Sequence, residues 1–110
     1  MVRTKEYKRA KYRIVISHFP MVMGQDWKDE HMWHGWTDAN NKFLPVLNET
    51  KVDLMVSGHT HRTFYHPIKS DGNNFPILEQ GYDSAVRLDL HQGHIAFKVV
   101  DRNGKVVMER

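Results

Sequence analysis

Val52-Asp53-Leu54-Met55-Val56-Ser57-Gly58-His59-Thr60-His61 is the stretch on which the fold turns. A short apolar run, Val52 to Val56, passes directly into small and polar residues, the pattern of a buried strand that stops at Ser57-Gly58. A run of the same character lies upstream, Tyr12-Arg13-Ile14-Val15-Ile16, ending at Ser17. Between the two, Thr37-Asp38 offers an N-cap and predicts a helix over residues 39–49. Phe43, Leu44 and Leu47 stand at helical spacing there, and Pro45 marks a kink or restart. The order strand, helix, strand predicts a crossover unit with parallel strands.

Beyond residue 62 the pattern changes. Thr63-Phe64-Tyr65-His66, Phe75 to Glu79, Ala85 to Leu90, His94 to Val100 and Lys105 to Met108 are strand-like. The segments Ser70-Asp71-Gly72-Asn73, Gly81-Tyr82-Asp83-Ser84, His91-Gln92-Gly93 and Asp101-Arg102-Asn103-Gly104 read as turns between them. This half is predicted to be an antiparallel meander. The whole reads as α/β: one domain over residues 1–110, strand-helix-strand followed by the meander, with no internal repeat or linker.

Composition narrows the chemistry. The chain has 110 residues and an apolar share of 40%, enough for one core and unlike a disordered segment. No apolar run approaches the roughly 20 residues of a membrane span, so no membrane partner is expected. There are no cysteines, which excludes disulfides and thiolate-bound zinc. The net charge is +3, and the basic cluster from Arg3 to Arg13 reads as a solvated lead-in to the first strand, with a nucleic-acid arm as its rival. Eight histidines are about three times ordinary usage. Imidazole and carboxylate are then the metal ligands available, a set suited to zinc, manganese, iron or nickel.

His59 and His61 follow a buried strand at a spacing of two. In extended backbone both rings point to one side and Thr60 to the other. Gly58 offers a sharp turn and room for a close neighbour. Taken alone, His-x-His fits a surface loop or polar pair as well as a metal site. His18 has the same placement after the first strand, and Pro20 restricts Phe19 to an extended exit. Two neighbouring parallel strands that each end in histidine would bring His18 near His59, at the end of the sheet where α/β ligands collect.

Taken together, apolar strand, Ser17-His18-Phe19-Pro20, long loop, helix and Val52 to His61 resemble the C-terminal half of the calcineurin-like metallophosphoesterases, which include purple acid phosphatases and many phosphodiesterases. The motifs cover residues 12–66. The resemblance implies part of a metallophosphoesterase-type β-sandwich with a flanking helix. His18 and His59 match ligands of the second metal, and His61 matches the histidine that reaches the first. It implies two divalent or trivalent ions (Mn, Fe or Zn) and hydrolysis of a phosphoester substrate.

The family also uses an Asp-x-His, a Gly-Asp-x-x-Asp with a bridging aspartate, and an Asn-His pair, none of which precedes His18 here. Carboxylates are needed to balance two dications about 3.5–4 Å apart. The catalytic residues are therefore expected in an N-terminal half of the same enzyme. The present chain is expected to be inactive alone and to dimerise through its uncovered surface. The alternative is a non-catalytic metal- or partner-binding module.

Asp89-Leu90-His91 is a literal Asp-x-His in the wrong order, fitting an exposed strand edge. Asp26 and Asp29 read as solvated loop charges. The Met/Trp-rich segment 21–36, with His31 and His34, reads as a hydrophobic cover or as a lid beside the metals. Tyr82 and Asp83 are placed near the same rim.

Overall fold

The computed structural model describes residues 3–19, 36–70 and 72–110, with side chains of the long helix from residue 42 onward. In chain order the elements are α1 (Lys5–Arg9), β1 (Ile14–Ser17), α2 (Trp36–Glu49), β2 (Leu54–Ser57), β3 (Phe64–His66), β4 (Ile77–Glu79), β5 (Ser84–His91), β6 (His94–Asp101) and β7 (Val106–Glu109). The expectations placed on residues 20–35, including Asp26, Asp29, His31 and His34, lie outside the described residues.

The two apolar strands flanking α2 are parallel neighbours, as their order predicts. Ile14 pairs with Leu54 and Ser17 with Ser57, so β1 and β2 end level with each other. The first sheet has the order β1-β2-β4-β3, with β4 parallel to β2 and β3 antiparallel to β4. The second sheet, β5-β6-β7, is the meander.

The predicted meander is therefore too long. Phe64–His66 and Ile77–Glu79 belong to the first sheet. The reason is burial on both faces: Ile77, Leu78 and Glu79 are all buried, as in an interior strand of a covered parallel sheet. By contrast, β5 largely alternates between exposed and half-buried positions.

The architecture is a helix layer, a mixed four-stranded sheet and an antiparallel three-stranded sheet. On one face of the first sheet, Leu44 and Leu47 of α2 pack with Val52, Met55, Phe75 and Ile77. On the other, Leu54, Val56 and Leu78 pack against Phe97 and Val99 of β6. Alternation along β2 sends Met55 to the helix and Leu54 and Val56 to the second sheet. Each fully buried side chain of this size stabilises the fold by about 1.5–3 kcal/mol.

At three places the local structure adds to or departs from these expectations. The basic segment before β1 contains a short helix, capped where the Tyr7 amide donates to Thr4 Oγ1. Arg13 fastens it by donating from Nε to Tyr7 O at 2.9 Å and from Nη2 to Lys8 O at 2.7 Å. α2 begins at Trp36 and continues as one helix through Pro45. Of its three spaced apolar residues, Leu44 and Leu47 face the core while Phe43 is exposed. Among the described residues no helix is long and apolar enough to cross a membrane.

Candidate metal centre

The parallel strands β1, β2 and β4 end on one side of the first sheet. They deliver, in turn, Ser17-His18-Phe19, Ser57-Gly58-His59 and Gln80-Gly81-Tyr82. Backbone bonds tie these ends together: Gly58 N donates to His18 O at 3.0 Å and Gln80 N to Ser57 O at 2.7 Å. The Ser17 hydroxyl donates to Phe19 O and turns the chain just past β1. The ends border an open cleft of about 440 Å³, whose lining includes His18, His59, His61, Ser57 and Tyr82.

Within this cleft His59 Nδ1 lies 3.2 Å from His18 Nε2. Phe19 packs edge-on against both rings, with centroids 4.7 Å from His18 and 4.5 Å from His59. His61, exposed, turns toward Tyr82, with ring centroids 5.5 Å apart. Three sequence-predicted ligands thus border one cleft, two of them in contact and the third beside Tyr82.

Extended backbone is not what aims these rings. His59 has φ of 68° and His61 of 58°, both left-handed, a region where histidine is found more often than most side chains. Gly58 is not where the strain falls: a Cβ there would meet His18 O at 3.8 Å, an ordinary contact. Two left-handed residues either side of Thr60 cost on the order of 1–3 kcal/mol each, a conformation that persists where surrounding structure fixes it. Thr60 points away from the cleft, as expected.

The residues fit a cation on two counts. Two imidazole nitrogens bound to one ion at about 2.0–2.1 Å stand roughly 3–3.4 Å apart, and the His18–His59 separation of 3.2 Å falls in that interval. His59 is also held below the ordinary histidine range, first by desolvation and then by repulsion from His18 and His61. That favours the neutral imidazole a metal requires. Ser57 Oγ is buried on the same cleft and has no hydrogen-bond partner among the described residues. Among those residues no three His, Cys, Asp or Glu side chains are grouped to hold one ion.

The remaining candidates are engaged elsewhere. Asp83 faces Arg102 at 3.7 Å, and Asp89 accepts from Arg87 Nε at 3.1 Å. Asp89 and His91 lie on β5, an edge strand. His91 stacks on His94 across the hairpin, with centroids 4.9 Å apart.

A buried polar network lies behind the loop that carries His59 and His61, and sequence reading missed it. Glu79, fully buried at the end of β4, accepts from Thr60 Oγ1 at 2.6 Å and from Arg62 Nε at 3.3 Å. Its other oxygen accepts from Arg62 Nη2 at 3.3 Å and is bonded to His66 Nε2. Burial alone would push this carboxyl up. The hydrogen bonds from His66, Thr60 and Arg62, with the charge of Arg62, outweigh it and hold the carboxyl below its ordinary range. The available signal was a charged residue closing an apolar strand, Ile77-Leu78-Glu79.

Compared with protein-family models and with curated proteins, the chain matches none.

Proposed function

We propose that this chain contributes His18, His59 and His61 to the dinuclear metal site of a calcineurin-like metallophosphoesterase, and that the complete protein hydrolyses a phosphoester. The observation that carries the reading is the contact between His18 and His59 at the level carboxyl ends of two parallel strands. It is supported by the motif order Ser17-His18-Phe19-Pro20 and Gly58-His59-Thr60-His61 and by the mixed sheet packed between a helix and a second sheet.

Under this reading His18 and His59 would hold one ion and His61 would serve the other. Ions bound there would polarise the phosphoryl group and offset the charge that develops during in-line displacement. Phe19 and Tyr82 flank the histidines and shape the space beside the phosphoryl group. The bridging carboxylate and the proton-transfer histidine come from the N-terminal half of the enzyme. That half would pair with β1, an edge strand whose Ile16 is 79% exposed.

The test compares p-nitrophenyl phosphate turnover with manganese for the present chain and for the chain joined to a segment carrying Asp-x-His, Gly-Asp-x-x-Asp and Asn-His. The joined protein is expected to turn over and to lose activity on His59→Ala, while the chain alone stays near background. Enzyme-like turnover by the chain alone would contradict the proposal. A two-histidine binding module is the second reading, favoured by the absence of a third grouped ligand among the described residues.

A further inference from the structure

Glu79 is fully buried, yet it is joined directly to the loop that carries two candidate ligands. Its Cα partner on β2 is Ser57, and on β3 it is Phe64, so the carboxylate sits under the path of residues 58–63. Four donor groups converge on it: the Thr60 hydroxyl, Arg62 Nε, Arg62 Nη2 and His66 Nε2. The carboxylate is thereby saturated and turned away from the cleft, which rules it out as a ligand in this arrangement.

Thr60 stands between His59 and His61, and both neighbours have positive φ. The Thr60 amide donates to Gly58 O at 2.8 Å, closing a tight turn around His59. Its hydroxyl donates to Glu79 Oε1 at 2.6 Å. A charge-assisted bond of this kind is short and directional. The amide bond closes the turn around His59, and the bonds of Thr60 and Arg62 to Glu79 fasten the chain on either side of His61.

We propose that the Thr60–Glu79 bond is a strut that holds the loop 58–62 in its left-handed form. Glu79 is then a positioning residue for the imidazoles of His59 and His61. The part of the proposal that concerns metal affinity rests on the reading of the cleft as a metal site; the part that concerns loop conformation does not.

The test uses the full chain, with Thr60→Val to remove the hydroxyl at nearly constant volume and Thr60→Ser to restore it. Two readouts are taken: zinc affinity by calorimetry, and the strong intraresidue amide–Hα NOE that positive φ gives at His59 and His61. Thr60→Val is expected to weaken zinc binding by at least about tenfold, the loss usual for a group that orients ligands, and to diminish both NOEs. Thr60→Ser is expected to recover both.

Wild-type affinity and undiminished NOEs in Thr60→Val would overturn the strut. If the wild-type chain takes up no zinc, the reading of the metal site fails, and the NOEs alone decide the strut. If Thr60→Val does not fold, the wild type decides. A Thr60 hydroxyl proton protected from solvent exchange upholds the bond, and a freely exchanging one overturns the proposal.

Discussion

His59 Nδ1 lies 3.2 Å from His18 Nε2, although 41 residues separate them in the chain. Parallel pairing of Ser17 with Ser57 sets the two strand ends level, and each histidine follows its strand within two residues. As a hydrogen-bonded pair the two nitrogens share one proton. A cation would take that proton's place, with the donor ring moving its own proton to its far nitrogen. The contact therefore ties the arrangement of these two rings to the protonation of His59.

The first prediction concerns His59. Desolvation, then His18 and His61, hold its pKa below the ordinary value of 6.5. The unfolded chain takes up this proton as pH falls through about 6.5, while the folded chain resists until lower pH. Folding stability contributed by this group therefore falls with pH from about 6.5 down to the folded value. In urea melts between pH 7.5 and 5, the wild type is expected to lose stability relative to His59→Gln as pH falls. Parallel curves would show that His59 titrates like a free histidine.

The second prediction concerns Glu79. Its folded pKa lies below the ordinary carboxylate value. Its contribution is thus fully present above about pH 4.5 and is lost as pH falls through the folded value. Removing one partner of a buried ion pair costs about 3–5 kcal/mol. Glu79→Ala, which leaves Arg62 and His66 facing each other without the carboxylate, is expected to lose stability on that scale at pH 7 by denaturant titration. A loss under about 1 kcal/mol, the worth of an exposed pair, would place the network at the surface in energetic terms.

How far the sequence disclosed this arrangement depended on the range of each signal. The β1–α2–β2 crossover was legible because Ile14 to Ile16 and Leu54 to Val56 are continuous apolar runs on either side of a helical period. The strand-end positions of His18 and His59 followed from it. Local pattern could not reveal that Ile77–Glu79 inserts beside β2, because membership of a sheet is decided by partners far along the chain. For the same reason Glu79 read as one charge among many. The left-handed backbone of His59 and His61 was hidden too, since glycine at position 58 drew the expectation of a turn to itself.

The third prediction concerns the open edge. β1 pairs only with β2 in the described sheet, and Ile16 is 79% exposed beside the cleft. An edge strand of this kind invites further pairing. The chain is expected to self-associate at high concentration, and Ile16→Lys to shift it toward monomer with little change in melting temperature. Light scattering coupled to size exclusion checks this. A wild-type chain that stays monomeric throughout would show that the edge is protected.

The most direct measurement is titration of the nitrogen-labelled chain with zinc at pH 7.5, following imidazole nitrogen resonances. His18 Nε2 and His59 Nδ1 are expected to shift together at the first equivalent, His91 and His94 to stay in place, and His18→Ala to abolish the response at His59. Zinc taken up at His91 and His94 with His18 and His59 unmoved would contradict this expectation.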